Sequence, residues 1–404
     1  MSRADRAPGV AAGVLVIAVG LSVRFPITSV SPLLADIAQA YHLSAPGISV
    51  LSAIPVLLFG LASPLAPLLV SRLGLERAIT VLLAALAVAT LLRPLSAPTL
   101  FIGTVVVGAT IALLGILAPQ IIRHALPRRG GFWTGIYTTS FGVSAAAGAA
   151  VSIPLFHLLG DQVGAALAAW GIPLLIALGL TIGFAPRLGL GLSAGPHRGG
   201  APAESILRAR GLWSVTGFFG CQALIYFSLT AWLPTIAVAR GMEPGQAGLL
   251  LAWLSIAGLP ASLLAPTLAA RPRLRTSLIG AIAVLSALGL IGLAFGPVPL
   301  APLMVAVLGI AQSAAFGIAI ALIVFTAPSV AQTASFSAIS QGVGYAVAAT
   351  GPLLLGLLAQ AGIAWSAILL LLTVASLGEL CFGIAGSRAS QGPSRGTTPR
   401  SSTE

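Results

Sequence analysis

PRLGLGLSAGPHRGGAPAESILRARG, residues 186–211, is the longest polar stretch inside this 404-residue chain and lies near its middle. Glycine and proline recur along it, which is typical of a linker. On both sides, apolar segments follow one another and are separated by short turns that carry arginines. Because a helix of about 20 apolar residues crosses a bilayer, the stretch separates two groups of membrane spans.

Apolar windows of that length predict twelve helices, six before the linker and six after it. Arg3 and Arg6 followed by an apolar run resemble a signal peptide, but the apolar pattern resumes directly after Arg24, so we interpret the first segment as an uncleaved helix. The predicted ranges are 9–35, 46–70, 78–95, 98–122, 132–157, 165–185, 212–238, 246–269, 276–295, 300–326, 334–359 and 364–385.

This division predicts an all-α membrane protein with an N-terminal six-helix bundle over 1–185 and a C-terminal six-helix bundle over 212–385. Residues 186–211 form a cytoplasmic linker, and residues 386–404 a disordered, polar cytoplasmic tail. The two halves contain similar segments. In each of them a proline precedes a polar turn and a further helix, as in PLLADIAQAYHLSAPGISVL from Pro32 and PTIAVARGMEPGQAGLLL from Pro234. Two six-helix halves in parallel repeat are typical of one large class of transporters.

The composition fits a lipid environment. Hydrophobic residues make up 57% of the chain and charged residues 7%, with a mean hydropathy of +1.05. The net charge of +12 comes with no basic stripe that interleaves aromatic residues, so we expect no nucleic-acid partner. With a cytoplasmic N-terminus, all the arginines except Arg24, Arg93 and Arg240 fall on the cytoplasmic side, which predicts that both termini are cytoplasmic.

No pattern in the sequence indicates catalysis or a metal. Cys221 and Cys381 lie far apart in apolar segments, without metal-ligand spacing. A Ser/His/Asp grouping, an HExxH motif and a phosphate loop are all missing from the sequence. We therefore expect a protein that is not an enzyme and that holds no metal or cofactor.

Arg24 in LSVRFPITSV is the most informative charge in the chain. It lies about 22 Å along a helix that begins at Gly9, and a guanidinium at such a depth faces protein or water and not lipid. Thr28 follows one turn later on the same face. A guanidinium matches planar anions through paired hydrogen bonds, so one interpretation is an anion-binding group. The other is a structural arginine that donates to carbonyls or glutamines between helices.

Polar side chains recur in the middle of several other predicted helices, where they could orient a solute. Each glutamine has interhelical hydrogen bonding as its alternative role, and Trp232 could instead anchor the membrane interface. The candidate substrate-binding residues, with Arg24 and Thr28, are Tyr137, Gln222, Tyr226, Trp232, Gln312, Gln341 and Tyr345.

Glu379 is the one carboxylate well inside a predicted span, and this makes it the candidate for proton coupling. The alternative is a structural ion pair with a loop arginine, because the residue is near the cytoplasmic end of the last helix.

Two six-helix halves joined by a central loop resemble the major facilitator superfamily. PLLVSRLGLERAI, between the second and third helices, is similar to that superfamily's Gly-x-Leu-Ala-Asp-Arg-x-Gly-Arg-Lys signature. Arg72 and Gly74 match its Arg and second Gly, and Ser71 replaces its Asp. The resemblance implies a gating loop that includes Arg72, Gly74 and Arg77.

Longer strings resemble the cyanate/nitroimidazole transporter branch of that superfamily. They are RFPITSVSPLL, LPRRGGFWTGIYTTS, GCQALIYFSLTAWLPT and SAISQGVGYAVAATGPLL. Ser22 and Ile116 depart from that branch, in which asparagine is common at both places. The resemblance implies a bacterial inner-membrane carrier for a small anion or a small nitrogen heterocycle. It also implies that Arg24, Tyr137, Gln222, Tyr226, Gln312, Gln341 and Tyr345 lie around the pathway.

The leading hypothesis is a monomeric, multi-pass secondary transporter that moves a small anionic solute by alternating access, with a proton as the candidate coupled ion. The alternative within the same fold is efflux of a small neutral heteroaromatic compound, in which Arg24 is structural. A third hypothesis, a membrane sensor or scaffold, normally needs a signalling or docking domain, and neither the linker nor the tail resembles one. The sequence leaves the substrate and the direction of transport open.

Overall fold

The computed structural model describes residues 3–188 and 206–391, and the described part is helical without strands. Most of the predicted linker and tail therefore lies outside the described residues. Before the linker the helices are α1 (Arg3–Ser22), α2 (Phe25–Thr28), α3 (Leu34–Ala40), α4 (Ala45–Leu61), α5 (Leu65–Leu73), α6 (Leu75–Leu92), α7 (Ala97–Ala125), α8 (Gly130–Leu158), α9 (Val163–Ala169) and α10 (Gly171–Phe184).

Six long helices follow the linker, and they match the six predicted there. They are α11 (Leu212–Ala239), α12 (Pro244–Ala269), α13 (Pro272–Phe295), α14 (Ala301–Thr326), α15 (Thr333–Gln360) and α16 (Trp365–Ala389). The last helix extends to Ala389, so it includes the first residues of the predicted tail.

Eleven segments among the described residues are long and apolar enough to cross a membrane. The segment that the sequence predicted as the second span, 46–70, is not one of them, because it is divided into α4 of 17 residues and α5 of 9 residues. The division lies at Ala62–Pro64, where Pro64 and Pro67 lack the amide hydrogens that a continuous helix would use. Twelve spans therefore remain a prediction, in which α4 and α5 together form one bent span.

The first predicted helix, 9–35, is also interrupted. It divides into α1, α2, a short 3₁₀ turn over Ser31–Leu33 and α3. Pro26 lies four residues after Ser22, the last residue of α1, and Pro32 lies four residues after Thr28, the last residue of α2. Because a proline cannot donate to the carbonyl four residues before it, each proline ends the helix there.

The contacts between the two halves include two groups of helices. In one group α8 packs against α12, and in the other α15 packs against α4, α5 and α7. At the first contact Gly131 and Gly135 allow backbone approach, since a Cβ atom at Gly135 would lie 2.4 Å from the Leu263 carbonyl oxygen. The central cavity lies between these two contacts.

Candidate functional site: the central cavity

A cavity between the halves is lined by residues that come from before and after the linker. The volume of the cavity is about 70 Å³. A buried water needs about 10–15 Å³ of such space, so the cavity has room for several water molecules or a small solute. The lining residues are Arg24, Thr138, Phe141, Gly142, Ala145, Phe219, Gln222, Ala223, Tyr226, Phe227, Ser255, Gly258, Leu259, Ser262, Gln312, Ser313, Phe316 and Tyr345.

Arg24 enters this cavity from the break between α1 and α2. Ser144 of α8 holds the break on both sides, because its Oγ donates to the Leu21 carbonyl and accepts from the Phe25 amide. Gly148 lets α8 approach α2 closely, since a Cβ atom there would meet Thr28 Oγ1 at 2.2 Å. The helix break thus fixes the backbone from which the Arg24 side chain extends.

The guanidinium of Arg24 is held by aromatic rings and not by an anion. Its central carbon lies 4.8 Å from the Phe141 ring centroid and 5.8 Å from that of Phe59. Among the described residues it donates no hydrogen bond, and their single ion pair joins His157 to Asp161, elsewhere in the fold. Cation–π contacts orient a guanidinium without using its N–H donors, so these donors remain free for a solute.

Aromatic rings form much of the remaining wall. Tyr345 packs edge-on against Phe219, with centroids 5.0 Å apart, and tilted against Phe59 at 5.1 Å. Phe316 lies 5.2 Å from Phe141, so rings of the two halves meet across the cavity. A guanidinium beside such walls suits a flat solute that has an apolar face and a hydrogen-bond-accepting edge.

A chain of polar groups leads from the cavity to Glu379. Gln222 Nε2 donates to the Gln312 carbonyl at 3.3 Å, and Gln312 Nε2 donates to Ser286 Oγ at 2.9 Å and to Glu379 Oε1 at 3.2 Å. Glu379 is completely buried, and its Oε2, like Gln312 Oε1, has no partner among the described residues. The carboxyl therefore contacts an amide and not the loop arginine that the sequence allowed.

The structure brings together five of the candidate binding residues, Arg24, Gln222, Tyr226, Gln312 and Tyr345. Tyr137 is buried behind the cavity wall, close enough to Arg24 and Tyr345 to interact with both electrostatically. Gln341 bridges the halves, because its Nε2 donates to Ser337 Oγ at 2.8 Å and to the Gly115 carbonyl at 3.4 Å.

Thr28 and Trp232 do not line the cavity either. Thr28 Oγ1 donates to the Arg24 carbonyl one turn earlier, so it stabilises the short α2. Trp232 Nε1 donates to the Pro352 carbonyl at 2.8 Å, and its ring packs on Trp365 with centroids 5.5 Å apart. These contacts connect α11, α15 and α16 away from the candidate site.

Hydrogen bonds join the two halves beyond one end of the cavity. Arg123, at the end of α7, donates from Nη1 to the Val324 carbonyl in the last turn of α14 at 2.6 Å. Nearby, Thr138 Oγ1 donates to the Ser262 carbonyl at 2.7 Å. A cation at the carboxyl end of a helix is favoured by the helix dipole, so Arg123 forms a latch across the halves.

The predicted gating loop makes no such latch among the described residues. Arg72 and Arg77 are exposed, and neither has an ion pair or a hydrogen-bonded partner there. Gly74 has φ +76° between α5 and α6, a backbone conformation that favours glycine, so the matching glycine has a turn-forming role.

The aromatic and hydroxyl side chains of the cavity wall were not identified from the sequence, although their helical spacing indicated them. Gln222 and Tyr226 were identified, and the same face of α11 adds Phe219, three residues before Gln222, and Phe227, four residues after the lining residue Ala223. On α12 the spacing repeats with Ser255, Gly258, Leu259 and Ser262.

A model of the Major Facilitator Superfamily matches residues 14–352. The chain belongs to the Major Facilitator Superfamily. The 2-nitroimidazole transporter of Escherichia coli K12 is 34% identical over 382 residues, which cover 93% of this chain and 95% of that protein. The cyanate transport protein CynX of the same organism is 25% identical over 346 residues, which cover 85% of this chain and 88% of that protein. The branch that the sequence suggested is thereby confirmed.

Solved structures of Major Facilitator Superfamily proteins share the fold. The transporter FucP in its outward conformation superposes with a TM-score of 0.71 at 15% identity, over 97% of this chain and 100% of that chain. The human organic anion transporter MFSD10 superposes with a TM-score of 0.67 at 14% identity, over 93% of this chain and 100% of that chain. This chain is a multi-pass membrane transporter with that helical fold.

Proposed function

We propose that the protein is a secondary active transporter of the bacterial inner membrane, which binds a small, flat, anionic solute in the central cavity. The position of the Arg24 guanidinium is the observation that supports this proposal. Its guanidinium lines a cavity built by both halves, is oriented by Phe141 and Phe59, and leaves its donors free of any carboxylate among the described residues. Paired hydrogen bonds to a planar anion are the interaction that such a group makes best.

A solute in the central cavity would contact both halves, which is the arrangement that alternating access requires. A solute in the cavity contacts Arg24 and Phe141 from one half, and Gln222, Tyr226 and Gln312 from the other. Rocking of the halves breaks the Arg123 latch at one end and forms new contacts at the other, while the solute stays between them. Arg24 supplies charge recognition, and the amide and phenol groups orient the solute.

Glu379 is the proton carrier in this proposal. A buried carboxylate without a cation is costly, and a neutral carboxylic acid fits the surroundings better. The Cys221 thiol of α11 is the titratable group that lies near it, and Gln312 and Ser286 contact it from α14 and α13. Since Gln312 also lines the cavity, a solute that draws this amide away changes the hydrogen bonding of Glu379.

Efflux of a small neutral heteroaromatic compound is the second candidate function. The aromatic wall favours it, because rings on Phe141, Phe219, Phe316 and Tyr345 could stack on a flat neutral ring. The similarity to a protein named 2-nitroimidazole transporter also supports it. In this case Arg24 orients a neutral acceptor, such as a nitro group, instead of neutralising a charge.

Ligand-dependent thermal stabilisation separates the two candidates. The purified protein is mixed with a panel of small planar anions and neutral heterocycles, and Arg24→Ala is tested beside the wild type. A ligand that binds the folded state raises its apparent stability by mass action. We expect planar organic anions to stabilise the wild type and to lose that effect in Arg24→Ala. Stabilisation by neutral heterocycles alone, retained in Arg24→Ala, would select the second candidate.

A further inference from the structure

A second cavity lies in the N-terminal half, beside the break in the first helix. Its walls come from the break and from α4 and α7, and Arg93 at the end of α6 closes it. The volume of the cavity is about 170 Å³. Pro26, Val30, Pro55, Arg93 and Thr104 are among the residues that line it. None of them lines the central cavity.

Arg93 is the charged group of this cavity, and it is 1% exposed. The sequence placed it near the end of the predicted helix 78–95, on the side opposite the cytoplasm, and the structure shows its side chain folded inward. Its Nη1 donates to the Pro26 carbonyl at 2.8 Å, and its Nε and Nη2 have no hydrogen-bond partner among the described residues. A guanidinium carries five N–H donors, so most of its hydrogen-bonding capacity is unused.

No carboxylate among the described residues forms an ion pair with Arg93. The Tyr41 hydroxyl is the titratable group that interacts with it electrostatically, and this hydroxyl donates to the Pro94 carbonyl at 2.7 Å. Thr104 Oγ1 donates to the Leu100 carbonyl at 2.7 Å, in its own helix. Within the described residues the one ion pair, His157 with Asp161, is elsewhere. A buried, unpaired cation is strongly unfavourable, and a bound anion would compensate its charge.

We propose that Arg93 and this cavity form a second binding site, which takes a small monovalent inorganic anion such as a halide or nitrate. One guanidinium neutralises one charge, and the other walls are apolar, so a multiply charged ion would remain uncompensated. A lipid phosphate would need a path for its acyl chains past a side chain that is almost fully buried. The site does not depend on Arg24, and it stands whether or not Arg24 binds the transported solute.

The occupied site would support the helix break that positions Arg24. The Pro26 carbonyl that accepts from Arg93 lies two residues after Arg24 in the chain. An anion on the free donors of Arg93 holds the guanidinium in the orientation that makes this bond. The second site is therefore structurally connected to the central one through the Pro26 carbonyl.

The test uses an Arg24→Ala background, which removes anion binding at the central cavity. Thermal unfolding of the purified protein is followed while sodium nitrate or sodium bromide replaces sodium gluconate at constant ionic strength. We expect a saturable rise in Tm of about 3 °C at ten times the Kd. The rise should vanish when Arg93→Gln is added, and remain when Arg240→Gln is added as the matched control. Arg240 also donates to carbonyls, those of Leu293 and Gly296, but lines neither cavity.

A second variant keeps the test decisive if Arg93→Gln does not fold. Val30→Phe fills the cavity and leaves the arginine in place, so it should also abolish the rise. A rise that persists in Val30→Phe would overturn the proposal, as would a linear response that is equal for all anions. A rise produced by added phosphatidylglycerol and not by the free anions would assign the site to a lipid phosphate and overturn it as well.

Discussion

The guanidinium carbon of Arg24 lies 4.8 Å above the Phe141 ring, in a cavity where no described residue pairs with its charge. Arg24 lies in the break between α1 and α2 and Phe141 lies in α8 of the same half, and the ring holds the cation without using its donors. Recognition of a solute by Arg24 should therefore depend on Phe141, even where the ring does not touch the solute.

Replacing Phe141 by leucine should weaken solute binding without preventing folding. The change keeps most of the apolar volume and removes the cation–π contact, which is worth about 1 kcal/mol, or roughly a fivefold change in Kd. Titration of the stabilising anion against Phe141→Leu measures this effect. Phe132→Leu is the control, because Phe132 lies on the same helix and is 40% exposed. Equal Kd values in the two variants would mean that the ring does not position Arg24.

Replacing Glu379 by glutamine should separate transport from proton movement. Glutamine keeps a neutral, hydrogen-bonding side chain beside Gln312 but cannot exchange a proton. In proteoliposomes, solute-dependent proton flux should be lost, while exchange of solute for solute continues. Glu243→Gln changes an exposed carboxylate at the start of α12 and should leave both rates unchanged. Normal proton flux in Glu379→Gln would remove this residue from the coupling mechanism.

Replacing Arg123 by alanine should favour opening at the latched end. The hydrogen bond to the Val324 carbonyl is charge-assisted and worth about 2 kcal/mol, so the population open at that end should rise roughly thirtyfold. The readout is the labelling of a cysteine at Ser262 by an impermeant thiol reagent, with Cys221 and Cys381 changed to serine. Arg128→Ala, at an exposed site nearby, should label at the original rate. Slower labelling in Arg123→Ala would contradict the latch.

Replacing Gly135 by alanine should destabilise the contact between α8 and α12. The added Cβ would lie 2.4 Å from the Leu263 carbonyl oxygen, so the helices must separate at a cost of about 1–3 kcal/mol. A lower Tm of the purified protein is the expected result. Gly179→Ala adds the same methyl group at a position with no atom within 4 Å and should leave the Tm nearly unchanged. Similar Tm values in both variants would show that this contact is not tight in solution.

The sequence predicted the helical class and most spans because membrane helices are long apolar segments bounded by charges and turns. The breaks in the first and second predicted spans were missed. Pro26, Pro32 and Pro64 signalled them, but a proline inside a membrane helix produces either a kink or a break, depending on its neighbours. Here Ser144 and Arg93 satisfy the backbone groups that the first break exposes, and contacts so distant in sequence leave no local pattern.

The candidate site was predicted only in part, because contacts between residues that are distant in sequence decide which polar side chains face the cavity. Gln222 and Tyr226 face the cavity as their spacing indicated, and Arg24 lines it. Trp232 has the same polar-and-aromatic character, but its indole donates to a neighbouring helix. Arg93 was placed at the end of a predicted helix, on the side opposite the cytoplasm. Its burial was not predicted, because burial of that end depends on how α6 packs against the rest of the half.

Transport by reconstituted protein shows whether Arg24 recognises the charge of the solute. Uptake of the stabilising anion into proteoliposomes is compared between the wild type, Arg24→Lys and Arg24→Ala, with equal insertion verified for each. Because lysine keeps the charge but loses paired geometry, we predict a strong decrease for Arg24→Lys, and a loss of about a hundredfold for Arg24→Ala. Uptake by Arg24→Ala at the wild-type rate would contradict the account.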